Sequence, residues 1–363
     1  MPGKGQGREA GSTPVGPFER SRSREWPRGG RHLRGWAARK AALVVLYPDC
    51  RRSCSAATAG PAVFYRTGMR HILLISGKDS LAASLVQREL EPDLPYELVH
   101  NDTGWDLPET LDWIRRVGEW MSQDILRLGD DLTAICDEEN CLPLPWRRFC
   151  TRRAKIQPLN DYLGVAPSVV YFGLRADEPD RIGYVVPPSQ PLTPRYPLRD
   201  AGMGLPEVWR LVHGSGLAPP DFRWAWMESR VRELLGTSQY LIDELPPWER
   251  AALLAWRSRS NCDRCFYARQ YEKIGLLEHH PDRFWDAVAL EERLCHRDEL
   301  TWAKGYRLRD LVPRSDAIRE RRARKIVAYL YARESDRRQL RLWDDEGHPD
   351  DLAATSCGLL CGK

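Results

Sequence analysis

The sequence predicts an α/β protein built on a Rossmann-like, doubly wound, mainly parallel sheet, followed by a helical C-terminal region. Three observations carry the prediction. A short apolar run, His71-Ile72-Leu73-Leu74-Ile75, passes through Ser76-Gly77-Lys78-Asp79-Ser80 into an amphipathic stretch, as when a buried parallel strand feeds a helix N-terminus. Strand-like and helix-like runs then alternate at a spacing that implies a parallel sheet covered on both faces. Polar turns close three of the strands, at 76–80, 101–104 and 173–178, where such sheets hold their ligands.

The first strand is apolar enough to be buried on both faces, and its turn suits an anion. Amides left unpaired by the first helical turn, the Lys78 charge and the Ser76 and Ser80 hydroxyls all offer themselves to it, with Asp79 as N-cap. An ordinary strand-to-helix turn, using Gly77 for positive φ, would look the same in isolation. A helix is expected near Ser80 to Leu90 and a second strand over Tyr96-Glu97-Leu98-Val99-His100, ending in Asn101-Asp102-Thr103-Gly104-Trp105. Pro108-Glu109-Thr110 opens the next helix. A third strand is placed near Leu132 to Cys136, a helix over about Arg153 to Leu163, and a β-branched and aromatic strand over Ser168-Val169-Val170-Tyr171-Phe172-Gly173.

The chain has 363 residues and a net charge of +4, spread unevenly. Residues 1–68 hold 13 Lys/Arg against 4 Asp/Glu, leaving 42 against 47 for the rest. This first segment, rich in Gly, Arg, Ser and Pro, is expected to be disordered, and the hydrophobic pattern starting right after Met69 favours a native start there. A basic nucleic-acid arm or a targeting peptide are its other readings. Ten cysteines without a secretory signal point to a reducing cytoplasm. No window approaches the ~18 uninterrupted apolar residues of a membrane span, so a soluble protein is expected.

The ordered motifs resemble the phosphoadenylylsulfate (PAPS) reductase-like branch of the PP-loop adenine-nucleotide enzymes, over roughly residues 70–290. Ile75-Ser76-Gly77-Lys78-Asp79-Ser80 is similar to that family's Ser-Gly-Gly-x-Asp-Ser loop, with Ile75-Ser76 standing where the family has Ser-Gly. Asp102-Thr103-Gly104 with Pro108-Glu109-Thr110, Gly173-Leu174-Arg175, and Tyr196-Pro197-Leu198 with Glu207-Val208-Trp209 resemble its later elements. The resemblance implies an adenine nucleotide, ATP or PAPS, as substrate. Ser76, Gly77, Lys78, Asp79 and Ser80 would meet its phosphates, Gly173 and Arg175 would form a second anion contact, and Asp102, Thr103 and Gly104 would lie near the adenosine. Lys78, Asp79 and Arg175 are thereby its catalytic candidates. ATP-using members attack the α-phosphorus, usually with magnesium, and release pyrophosphate; sulfonucleotide reductases use a thiolate to take a sulfonyl group.

The cysteines extend the resemblance. Phe149-Cys150 through Pro158-Leu159 is similar to the Cys-Cys-x-x-Arg-Lys-x-x-Pro-Leu element of iron-sulfur sulfonucleotide reductases, with only the second cysteine present, and Cys262-Asp263-Arg264-Cys265 resembles the Cys-x-x-Cys that completes their cluster. Cys-x-x-Cys presents two thiolates from one turn, which names a chelate without naming iron-sulfur or zinc. Cys150, Cys262 and Cys265 are the candidate ligands, with Cys361 or Cys357 as the fourth. Alternatively the tail resembles the mobile Glu-Cys-Gly-Leu-His of the reductases, making Cys357 the nucleophile, although Ser356 and Leu360 replace the flanking Glu and His. Cys136, Cys141 and Cys295 are expected to be buried thiols.

Other residues carry plainer readings. Pro281 and Asp282 start a helix rather than extending a His279-His280 metal site, most tryptophans are core, and Arg319, Arg321, Arg322 and Arg324 lie largely on solvated helix faces. The sequence divides at 1–68, 69–220 (nucleotide-binding α/β domain) and 221–363 (helical, cysteine-bearing). Three functions fit: a thioredoxin-linked sulfonucleotide reductase, an ATP-dependent nucleotidyl or sulfur transferase acting on tRNA, DNA or a small molecule, and a non-catalytic nucleic-acid-binding protein on the same fold.

Overall fold

The structure, a computed structural model, describes residues 68–336 apart from 182, 184–190, 260–261, 296–300 and 303–304. The basic segment up to residue 67, with Cys50 and Cys54, and the tail bearing Cys357 and Cys361 lie outside the described residues.

Five strands form one parallel sheet in the order β3-β2-β1-β4-β5. Strand β1 (Arg70–Leu74) leads into helix α1 (Lys78–Leu90), β2 (Tyr96–Asn101) into α2 (Pro108–Met121), and β3 (Ile125–Leu128) into α3 (Leu132–Glu139). A short helical turn at Phe149–Thr151, a π-turn at Arg152–Ile156 and α4 (Gln157–Leu163) then return the chain to β4 (Ser168–Tyr171), which pairs with β1 on the side opposite β2. The chain thus winds outward twice from β1, once through β2 and β3 and once through β4 and β5 (Leu192–Arg195). Central position explains the unbroken apolar run of β1, since a strand with helices over both faces has no solvent side. Ile72, Leu73 and Ile75 are fully buried, each contributing roughly 1.5–3 kcal/mol through the apolar area withdrawn from water.

One expectation for this sheet needs correction, and one strand was not expected. The apolar run at 132–136 is not a strand but the start of α3, because the Asp131 side chain accepts a hydrogen bond from the Thr133 amide (2.9 Å) and caps a helix there. The third strand lies just before it, and its half-exposed edge position leaves it with little apolar signature. Strand β5 went unforeseen because Pro194 interrupts its pattern; a proline is tolerated on an edge strand, where its missing N–H breaks no inner ladder.

One side of the sheet closes over Leu159 and Leu163 of α4, against Ile72, Leu74, Val99, Val170 and Phe172. A larger apolar cluster joins Trp105, Leu107, Leu132 and Cys150 to the C-terminal helices. Helix α5 (Leu205–Gly214) packs on α1 outside that cluster, whose C-terminal helices are α6 (Ala225–Leu235), α7 (Pro247–Leu254), α8 (Gln270–His279), α9 (Pro281–Leu294) and α10 (Ser315–Asp336). Helix α9 begins at Pro281, as expected of a proline at a first helical position. Arg322 departs from the solvated reading: it is 4 % exposed, donates to the Leu253 carbonyl (3.2 Å) and lies over the Tyr271 ring. No helix among the described residues is long and apolar enough to cross a membrane.

Candidate functional site

The direction of winding reverses between β1 and β4, and the carboxyl ends of these two strands open onto a cavity of about 430 Å³. That volume lies within the ~300–1,000 Å³ of small-molecule sites. The turn at Ser76, Gly77, Lys78, Asp79 and Ser80 forms one wall and Gly173 another.

The turn is organised by Ser80. Its hydroxyl accepts from the amides of Ser76 (2.9 Å) and Gly77 (3.0 Å) and donates to the Gly77 carbonyl (2.9 Å). The N-cap is Gly77, not Asp79, and its φ of −177° is extended backbone that any residue adopts. A Cβ there would meet nothing within 4 Å, so the turn does not need its glycine for positive φ. The glycine that geometry does require is Gly173, where a Cβ would sit 2.5 Å from the Asp79 carbonyl carbon and the Ser80 nitrogen. Its missing side chain lets the end of β4 lie against the first turn of α1.

Asp79 is inside that first turn and buried. Burial alone would push its carboxyl up, but Lys78 (3.1 Å) and Arg175 (3.3 Å) hold it below the usual carboxylate range. The Arg175 guanidinium is 4 % exposed and is engaged by Asp79, Asp177 (2.8 Å) and Glu178 (3.3 Å). It therefore stands behind the turn as a brace and is not among the cavity's lining residues.

The cavity is electropositive. Lys78, Lys155, Arg181, Arg223, Arg257 and Arg259 line it, against the acids Asp79 and Asp221. Trp209 stacks on Trp248 (ring centroids 6.1 Å apart, planes 17° apart) and receives the Lys78 ammonium 5.8 Å above its ring. With Pro219, Pro220 and Phe222 it makes an apolar wall. His213 stands beside Trp209, and burial pushes its imidazole down, towards the neutral form. Asn101, at the end of β2, also lines the cavity and keeps a buried carboxamide oxygen without a hydrogen-bond partner.

Asp102, Thr103 and Gly104 do not line this cavity. Asp102 pairs with Arg127 and accepts from the Gly104 amide (2.9 Å). Thr103, fully buried, places its hydroxyl 3.1 Å from the Cys262 sulfur. The Cys262–Cys265 turn is thus docked on the end of β2, held further by the Asp263 amide on the Trp105 carbonyl (2.7 Å). Arg257 ties the same turn to the cavity by donating to the Cys262 carbonyl (2.6 Å) while lining the pocket.

All six described cysteines are buried thiols: Cys136, Cys141, Cys150, Cys262, Cys265 and Cys295. Burial, helped by the nearby Cys150 and Cys141, pushes the Cys136 thiol up, and burial pushes Cys295 up to about 12. Thiolates on one tetrahedral zinc, each at ~2.3 Å, would lie about 3.8 Å apart. Among the described residues, the three-membered His, Cys, Asp or Glu set with all ligand atoms within 4.8 Å of one another is His100, Asp102 and Asp106, not Cys150, Cys262 and Cys265. The described cysteines by themselves do not form a ready mononuclear site; an iron-sulfur cluster binds its thiolates to separate irons and does not ask for that spacing.

Of the residues that the motifs did not mark as ligand contacts, Trp209 was within reach, since it sits in the Glu207-Val208-Trp209 element but has the look of core. Arg257, Arg259 and Phe222 carry no local signature at all. Residues 70–183 match the family model of the phosphoadenosine phosphosulfate reductase domain. No curated protein matches the chain.

Proposed function

We propose, from the premise that residues 70–183 form a domain of the phosphoadenosine phosphosulfate reductase family, that the cavity between β1 and β4 binds an adenine nucleotide, ATP or PAPS. The nucleotide would serve sulfur chemistry, either reduction of a sulfonucleotide or sulfur transfer coupled to adenylation. The observation that carries this reading is the cavity itself: it lies at the reversal of strand order and sets six cationic side chains against two acidic ones beside a helix N-terminus. Phosphates belong at the Ser76–Ser80 turn, where Lys78 supplies the charge. The aromatic and proline wall of Trp209, Pro219, Pro220 and Phe222 suits the adenine ring. Asp79 and Arg175 act on the ligand indirectly, by fixing Lys78 and the turn that carries it. Magnesium would accompany ATP as part of the substrate.

Cys150, Cys262 and Cys265 would hold an iron-sulfur cluster, which when bound supplies a redox-capable centre next to the β2 turn. The chain's own contribution there is the Thr103 hydroxyl at the Cys262 sulfur and the Arg257 guanidinium on the Cys262 carbonyl. Both keep the cysteine turn in register with the cavity.

Calorimetry of protein purified anaerobically, with its metal retained, should show binding of ATP or PAPS, and Lys78→Ala should weaken it at least tenfold. Silence towards both nucleotides defeats the reading. Sulfite and pyrophosphate release, measured side by side from PAPS and ATP, then separates reduction from adenylation.

A further inference from the structure

The geometry points to a divalent-cation site, of the zinc or manganese class, at the carboxyl end of β2, formed by His100 Nε2 and the carboxylates of Asp106 and Asp102. None of its three residues lines the nucleotide cavity, and none is a cysteine ligand.

The ligand atoms of the three residues lie within 4.8 Å of one another. His100 is 2 % exposed and Asp106 6 %, yet His100 Nε2 and Asp106 Oδ2 are both buried without a hydrogen-bond partner. Buried polar atoms are rarely left so, and each costs about 1–3 kcal/mol if nothing meets it. His100 Nδ1 donates its proton to the Ile75 carbonyl (2.8 Å). In a neutral ring that fixes the tautomer and leaves a lone pair on Nε2, the arrangement by which a second-shell carbonyl orients a metal-binding histidine.

That lone pair faces Asp106 Oδ2 at 3.5 Å. Two lone pairs at this distance repel unless a positive charge stands between them. A proton shared with the carboxylate or a metal ion can supply that charge, and magnetic resonance of the ring distinguishes the two. Two ligands each about 2.1 Å from one tetrahedral ion lie about 3.4 Å apart, and the observed separation is of that size. Asp102 and Asp106 together balance a dication. Their cationic neighbours are Arg127, whose side chain is largely exposed and pairs with Asp102, and Lys155, which acts on Asp106 from the cavity side. One imidazole with two carboxylates suits zinc or manganese better than magnesium, which prefers oxygen ligands and keeps its water.

The test is titration of the full-length protein, as purified and without nucleotide, with Mn²⁺ alone, a probe that avoids thiolates. One Mn²⁺ should bind, pulsed electron paramagnetic resonance should show coupling to one imidazole nitrogen, and Zn²⁺ should displace it. His100→Gln should abolish the nitrogen coupling, and Asp106→Asn should weaken binding at least tenfold. Asp102→Asn, at the least buried ligand, should weaken it by a similar factor if the buried variants fail to fold. The proposal is overturned if neither ion binds, if nitrogen coupling is absent or survives His100→Gln, or if nuclear magnetic resonance finds His100 doubly protonated at saturating metal. Nucleotide binding can fail while this site stands, and the reverse.

Discussion

Gly173 and Arg175 show what a residue's type leaves undecided. Both stand in a motif that reads as a ligand contact, and a cation after a strand is the natural partner of a phosphate. The structure turns the Arg175 guanidinium to three carboxylates, one of them 96 positions earlier in the chain, and no local pattern announces such a neighbour. Gly173 is required by the backbone of α1 passing behind it. Replacing Gly173 with Ala should therefore destabilise the fold by about 1–3 kcal/mol, the usual cost of forcing extra volume into packed structure. Gly77→Ala, with open space around it, should cost far less; urea melts of the two variants make the comparison. Equal losses would mean that the close approach of β4 to α1 is not what Gly173 permits.

At the level of elements, the strands buried on both faces were the readable ones. β1, β2 and β4 announce themselves as apolar or β-branched runs because helices cover both of their faces. β3 and β5 are edges, one half-exposed and the other interrupted by Pro194, so the physics that makes strands legible is missing from them. The run at 132–136 was ambiguous in period and was decided by one capping side chain. Asp131→Ala should accordingly destabilise the protein by about 1 kcal/mol, read from thermal or urea unfolding, whereas Asp130→Ala, one residue outside the cap, should be close to neutral. The candidate site divides in the same way. Its Ser76–Ser80 turn lies in one contiguous stretch and was legible; its aromatic and arginine wall comes from four separate segments and was not.

Across the whole molecule, buried carboxylates set the response to acid. Burial favours the neutral form of Glu272, but Arg259 and Arg269, together with the Ser258 and Arg269 amides, hold it down at about 2, from an ordinary 4.5. Asp79 is likewise held below its ordinary range. A folded-state value below the unfolded one means stability that is fully present above pH 4.5 and is lost as pH falls towards 2. Urea melts should show wild-type stability declining steeply over that window. Glu272→Gln should be less stable at pH 6 but lose less on acidification, and an unchanged pH slope would show that Glu272 is not a source of the acid response. The family match ends at residue 183, whereas β5, the Trp209 wall, Phe222 and Arg257 all follow it. A fragment cut at residue 183 would keep every atom of the Ser76–Ser80 turn and none of the far wall. The pocket is thus a joint product of sequence-distant halves, its walls brought together by tertiary closure rather than carried by a portable module.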